Sequence, residues 1–182
     1  MPLASAASRV CATCRETPPP FDYARAAAAY AGGVREAIHA LKFGSRRSLV
    51  RPLGDLIVEQ CGGEIAGGAA LVPVPLARGR ERERGFNQAL LLAERVGERL
   101  GVRVRSHWLL RMRATAAQSD LSAAQRRSNV AGAFAAMRAV RGHDVVLVDD
   151  VITTGATVGE CARALRAAGA RRVGVLAVAR VL

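Results

Sequence analysis

The residues best suited to chemistry lie in one run near the end of the 182-residue chain: Asp149-Asp150-Val151-Ile152-Thr153-Thr154-Gly155-Ala156-Thr157. A phosphate monoester needs several donors converging from a tight turn. The hydroxyls of Thr153, Thr154 and Thr157, the successive N–H groups around Gly155 and Ala156, and the start of a following helix can supply them. Glycine at 155 lets the backbone come close to such a ligand. Asp149 and Asp150 would repel phosphate, so they should face vicinal hydroxyls, which donate to carboxylates, or a bound Mg²⁺. A ligand with phosphate at one end, a diol in the middle and a metal-bound group beyond is a phosphorylated ribose. The run lacks the Gly-Lys-Ser/Thr ending of a Walker A loop and the Gly-x-Gly-x-x-Gly of a dinucleotide fingerprint. An ordinary strand-to-helix turn with Thr caps is the bland alternative.

A second cluster begins at Leu71-Val72-Pro73-Val74-Pro75 and runs into Arg78, Arg80, Arg82, Arg84, Gly85, Phe86, Asn87 and Gln88. These arginines could clamp a pyrophosphate; their alternation with Glu81 and Glu83 equally describes a solvated salt-bridge ladder. Arg84 and Gly85 are the better placed, because Gly85 precedes a helix start whose amides would face a ligand.

The elements that must hold these residues follow from periodicity. Val145 to Val148 is an uninterrupted aliphatic run that reads as a buried strand. Thr157 to Ala168 carries Val158, Cys161, Ala162 and Leu165 on one helical face, Gly169 caps it, and Arg172 to Val178 is apolar again. This strand-helix-strand unit requires parallel strands, and it sets the acidic pair and the Thr turn at the carboxyl edge of a sheet, where such folds bind ligands. Upstream, the pattern predicts a strand over Arg25 to Tyr30, helices over Gly33 to Phe43, Leu49 to Gln60 and Gln88 to Leu100, and a strand over Ala69 to Val72. Short strands are expected at Val102 to Val104 and Trp108 to Leu110. Ala114 to Gly132 is polar, with Ser122 and Gln125 in capping-box spacing, and reads as a mobile loop followed by a short helix. Residues 1–22, ending in Thr17-Pro18-Pro19-Pro20, form a tether, and residues 23–182 form the compact domain.

The formal charge is +12 with 4% aromatic residues. The charge invites a nucleic-acid reading, while the shortage of rings argues against base stacking as its main mode. No apolar stretch reaches the roughly 20 residues of a membrane-spanning helix. The start lacks a basic segment followed by a long apolar block, so a cytoplasmic protein is expected. Cys11 and Cys14 have the spacing of half a zinc knuckle, but structural Zn²⁺ takes four ligands, and Cys61 and Cys161 supply no second pair. Cys161 falls on the apolar face of its helix.

Val145 to Val158 resembles the signature of the type I phosphoribosyltransferases, in which two acidic residues follow a hydrophobic strand and precede a Thr-Thr-Gly-x-Thr loop. With Val72-Pro73-Val74-Pro75, Arg84-Gly85-Phe86-Asn87-Gln88, Gln118, Arg126, Asn129 and Gly132-Ala133-Phe134, the chain is similar to the ComF family from about Phe21 to Leu182. The resemblance implies an α/β fold of the type I phosphoribosyltransferase kind, a mostly parallel sheet flanked by helices, with a small N-terminal tether or zinc-ribbon remnant. It implies 5-phosphoribosyl-1-pyrophosphate (PRPP) or a nucleoside monophosphate as ligand. Thr153, Thr154, Gly155, Ala156 and Thr157 would lie around the 5-phosphate, Asp149 and Asp150 at the catalytic ribose hydroxyls, and Pro73, Val74 and Pro75 near pyrophosphate with Mg²⁺. It further implies a flexible hood over Ala114 to Asn129 and a lysine, Lys42, pointing toward the site. Family members commonly begin with two Cys-x-x-Cys pairs; this chain has only Cys11 and Cys14, which cannot close a Zn²⁺ site alone. If catalytic, the protein would displace pyrophosphate from C1 by a nitrogen nucleophile of unspecified identity. The rival reading is a non-catalytic ligand sensor or DNA-uptake accessory that meets single-stranded DNA or the competence machinery. A homodimer is a further expectation.

Overall fold

The computed structural model describes residues 15–113 and 123–181. Strands and helices alternate along them: β1 (Tyr23–Ala29), α1 (Gly32–Phe43), α2 (Val50–Cys61), β2 (Ala70–Pro73), α3 (Arg78–Arg84), α4 (Gln88–Leu100), β3 (Leu109–Arg111), α5 (Ala123–Val130), β4 (Phe134–Ala136), β5 (Asp144–Ile152), α6 (Ala156–Ala167) and β6 (Arg172–Arg180). Four strands form one parallel sheet in the order β1-β6-β5-β2, and β3 and β4 pair antiparallel as a separate ribbon.

The sheet is buried on both faces, which is why β5 and β6 read as continuous aliphatic runs. Side chains alternate along β5. Val145 and Leu147 pack with Val158, Cys161 and Leu165 of α6 and with Trp108, Leu109 and Phe134 of the ribbon region. Val146 and Val148 pack on the other face against Ile38 and Leu41 of α1, Leu53 and Ile57 of α2, and Leu92 and Val96 of α4. The helix registers that bury these residues are the ones their 3.6-residue spacing requires.

Most expected elements are present within a residue or two. The segment expected as a strand at Val102 to Val104 contributes a single bridge, Val104 to Leu71, fastened by Leu71 N–H to the Arg103 carbonyl (2.9 Å) and Arg105 N–H to the Leu71 carbonyl (2.8 Å). Its arginines alternate with valines, so only one side can be buried, and the chain leaves the sheet edge after one residue. The Arg/Glu run at 78–84 forms a helix, α3, and β4 is a strand that periodicity over three residues cannot declare. Among the described residues, Arg78, Arg80 and Arg82 make no ion pair with Glu81 or Glu83, so a salt-bridge ladder is not what the alternation builds.

Asp22, just before β1, is already tied into the domain: its Oδ2 accepts from Val173 N–H at 2.7 Å and meets Arg166 at 2.5 Å. Cys11, Cys14, Gln118 and Ser122 lie outside the described residues. Cys61 and Cys161 are unbridged and buried; burial pushes the Cys61 thiol up to about 11 and that of Cys161 well above its ordinary value, so neither is a nucleophile at neutral pH. No helix among the described residues is long and apolar enough to cross a membrane.

Candidate functional site

A cleft of about 700 Å³ opens at the carboxyl ends of β2 and β5. Its floor is the end of β5. Asp149 Oδ1 accepts from the N–H of Asp150 at 2.9 Å, and Asp150 Oδ1 accepts from the N–H of Val151 at 3.0 Å, so each carboxylate is oriented by the next residue's own backbone. Neighbouring strand residues alternate in direction, yet both carboxylates line the same cleft and lie close enough to interact. Asp149 lies on the side of Cys161 and Arg111, and Asp150 on the side of α1. Burial, and then the negative charge of Asp150, push the Asp149 carboxyl well above the usual range. Asp150 is 4% exposed, and Lys42 Nζ from the last turn of α1 stands 2.5 Å from its Oδ2.

The Thr turn forms the next wall. Gly155 adopts φ +76°, the left-handed conformation that glycine enters without a Cβ penalty, and it opens α6 with no side-chain cap of its own. The amides of the first turn thus point toward the cleft mouth, which is the local structure that attracts anions. Thr153, Gly155, Ala156 and Thr157 line the cleft. Thr154 does not: its exposed hydroxyl accepts from Ala156 N–H at 3.4 Å and shapes the turn.

The opposite wall comes from the segment after β2. Val74 and Pro75 line it, while Pro73 remains inside the strand. Asn87 fastens this wall by two bonds. Its Oδ1 accepts from Ala89 N–H at 3.0 Å, capping α4, and its Nδ2 donates to the Val74 carbonyl at 3.1 Å. Arg84 enters the cleft with Nη1 on Gln88 Oε1 at 2.5 Å and its guanidinium 5.5 Å from the Phe43 ring centroid. Gly85 lies off this wall: with φ +78° it ends α3 and gives its carbonyl to Arg47 at 3.0 Å, lining a shallow neighbouring depression with Arg78 and Arg82. Arg80 faces the main cleft.

Arg111 is a cleft residue that the sequence reading passes over. Its Nη1 reaches the Pro75 carbonyl at 3.5 Å, and its guanidinium lies 5.3 Å from the Phe134 ring centroid. Burial lowers the pKa of both Arg84 and Arg111, though a guanidinium stays charged across the accessible range. The signal was an arginine on the inward beat of Leu109-Leu110-Arg111, where Leu109 is buried and Leu110 exposed. Tyr30 and Ser45 also line the cleft, delivered by β1 and α1, which sequence distance from the acidic pair had hidden.

The cleft therefore brings together the amide and hydroxyl donors of the α6 turn, two carboxylates and the guanidinium groups of Arg80, Arg84 and Arg111. Among the described residues no three His, Cys, Asp or Glu side chains converge in a way that could hold a metal ion.

Residues 87–181 match the phosphoribosyl transferase domain family. Over 177 residues the chain is 38% identical to the DNA utilization protein YhgH of Escherichia coli, covering 94% of this chain and 78% of that protein. It is 39% identical over 116 residues to competence protein F of Haemophilus influenzae, covering 61% of this chain and 50% of that protein. Among solved structures, the allosteric regulatory enzyme of purine biosynthesis superposes with a TM-score of 0.47 at 25% identity, over 72% of this chain and 26% of its own.

Proposed function

This chain belongs to the ComF family of type I phosphoribosyltransferase-like proteins, and from that premise we propose that its cleft binds PRPP with Mg²⁺ and transfers the phosphoribosyl group to a nitrogen acceptor. The observation that carries the reading is the set of groups that meet in one cleft: the α6 N-terminus with Thr153 and Thr157, the carboxylates of Asp149 and Asp150, and the guanidinium groups of Arg84 and Arg111. That set suits a molecule with a phosphate, two adjacent hydroxyls and a pyrophosphate.

In this reading the N–H groups of the first turn of α6 hold the 5-phosphate, and Thr153 and Thr157 add hydroxyl donors. The acidic pair accepts from the ribose hydroxyls, fixing the ring so that C1 faces the open cleft. Arg84, braced by Gln88 and Phe43, and Arg111, braced by the Pro75 carbonyl, meet the pyrophosphate. A nitrogen lone pair forms the new bond to C1 as the C1–O bond breaks and the electron pair leaves with pyrophosphate. Preorganised guanidinium groups stabilise the charge that develops on the departing oxygen. Magnesium fits this donor set only with the ligand's help: the half-buried Asp149 would hold it alongside phosphate oxygens and water, a usual arrangement for that ion. When bound, it would neutralise charge on the leaving pyrophosphate.

Calorimetric titration with PRPP, with and without Mg²⁺, tests the binding step, and pyrophosphate release in the presence of candidate amines and nucleobases tests the transfer. Saturable PRPP binding that Asp150→Ala weakens is expected; absence of PRPP binding at millimolar ligand with Mg²⁺ would overturn the reading.

A second reading has its own support. Arg78, Arg80 and Arg82 are exposed on α3 without an acidic partner among the described residues, and Phe43, against Arg84 of the same helix, is 68% exposed. Unpaired guanidinium groups next to an open ring suit a single strand of DNA, and the names of two relatives refer to DNA utilization and competence. In that case the cleft senses a phosphorylated ligand and turns over nothing. Single-stranded DNA should then bind with an affinity that falls steeply with salt, with no pyrophosphate released.

A further inference from the structure

We propose that Lys42 is the positioning residue of the acidic pair: it holds Asp150 in place and neutralises one of two adjacent carboxylates, so that a polyanionic sugar can approach the pair. The proposal rests on the reading of the cleft as a phosphoribosyl site.

Asp150 has one oxygen satisfied by Val151 N–H, whereas its Oδ2 is sealed from solvent and makes no hydrogen bond of regular geometry; Lys42 Nζ at 2.5 Å is the group that faces it. A buried carboxylate without a cation is costly, and a second carboxylate one residue away raises that cost. Lys42 is delivered with little freedom. It follows Leu41, which is fully buried on α1, and sits in the last helical turn, where a cation is favoured by the helix dipole. The chain turns sharply just beyond it at Gly44, where a Cβ would come within 2.8 Å of the Ala40 carbonyl. Lys42 also lines the cleft, and it lies outside residues 87–181 that match the transferase domain. The N-terminal β1–α1 unit therefore completes the electrostatics of a site whose acidic pair, Thr turn and arginines come from the rest of the chain.

A ligand carrying a phosphate and a pyrophosphate enters a cleft floored by two carboxylates only if that charge is offset. Lys42 removes one negative charge at the floor without occupying the space of the ligand. Its effect then runs through Asp150, and a double-mutant cycle separates this from direct contact with the ligand. In calorimetry with PRPP, Lys42→Met should weaken binding by about tenfold or more when Asp150 is present, and by less than about twofold in the Asp150→Asn background. Lys42→Arg should restore most of the loss. Equal losses in both backgrounds would mean that Lys42 touches the ligand itself, and the proposal would fall. The same cycle read by thermal melting without ligand tests the pair independently. Lys42→Met should lower the midpoint, and adding Asp150→Asn should recover it; no recovery overturns the proposal. Failure of the wild-type protein to bind PRPP would reject the phosphoribosyl reading alone, leaving the melting cycle to decide on Lys42.

Discussion

At the scale of single residues, the site works by placing groups where their usual behaviour is altered. Asp149 carries the clearest consequence. Its pKa is raised by burial first and by the charge of Asp150 second, so the folded chain keeps a proton that the unfolded chain, with a carboxyl near about 3.9, has already released. The stability contributed by this group is complete below the unfolded value and is lost as pH climbs through the raised folded value. Asp149→Asn should therefore raise the melting midpoint near neutral pH, with the gain shrinking as pH falls toward about 4, while PRPP affinity drops. A pH series of thermal melts checks the first part; a gain that grows on acidification would contradict it. Gly155 gives a second test. At φ +76° with nothing within 4 Å of an added Cβ, alanine meets no clash but must adopt a left-handed backbone. Gly155→Ala should cost roughly 1–2 kcal/mol in denaturant unfolding and weaken phosphate-bearing ligands more than their dephosphorylated forms.

At the scale of elements, caps and close approaches matter more than propensity. Asn87 joins the α4 N-terminus to the Val74 carbonyl while buried at 8% exposure. Asn87→Ala removes the cap and leaves that carbonyl unpaired, so a loss of about 2 kcal/mol or more is expected by denaturant unfolding, together with weaker PRPP binding as the Val74–Pro75 wall loosens. Gly174 on β6 is the other constraint. It lies opposite Tyr23 in the β1 register, and a Cβ there would come within 2.2 Å of the Tyr23 ring. Gly174→Ala should displace the edge strand β1, and Tyr23→Ala in the same chain should relieve it, both visible in the amide exchange of residues 23–29. These contacts mark where sequence reading ends. The strand-turn-helix at 145–168 is legible because Val145 to Val148, the acidic pair and the helix face at Val158, Cys161, Ala162 and Leu165 each announce a local period. Lys42 could be named as a site residue only through resemblance, and Arg111 and Tyr30 could not be named as such. Their place at the cleft depends on how separate elements pack, and no local period encodes that. The arginines at 78–84 were legible as charge, but not as a helix on which Arg78, Arg80 and Arg82 make no ion pair with Glu81 or Glu83 among the described residues.

At the scale of the whole molecule, the charge of +12 sets the long-range field. Like charges on a compact surface repel, and at ~0.1 M ionic strength the screening length is about 10 Å. Raising salt from low to physiological levels should therefore increase the melting midpoint of the free protein while lowering its affinity for anionic ligands. Calorimetry and thermal melts over the same salt series should give these opposite trends. The pairing of β1 with β6 carries one more consequence, in the order of biosynthesis. Tyr23 emerges from the ribosome well before its strand neighbour Gly174, so β1 has no partner in the parallel sheet until β6 has been made. The lysine carried on the helix after β1 thus cannot be seated against Asp150 until β5 has been made, and β1 itself docks only once β6 follows, so competence of the site waits on that long-range pairing.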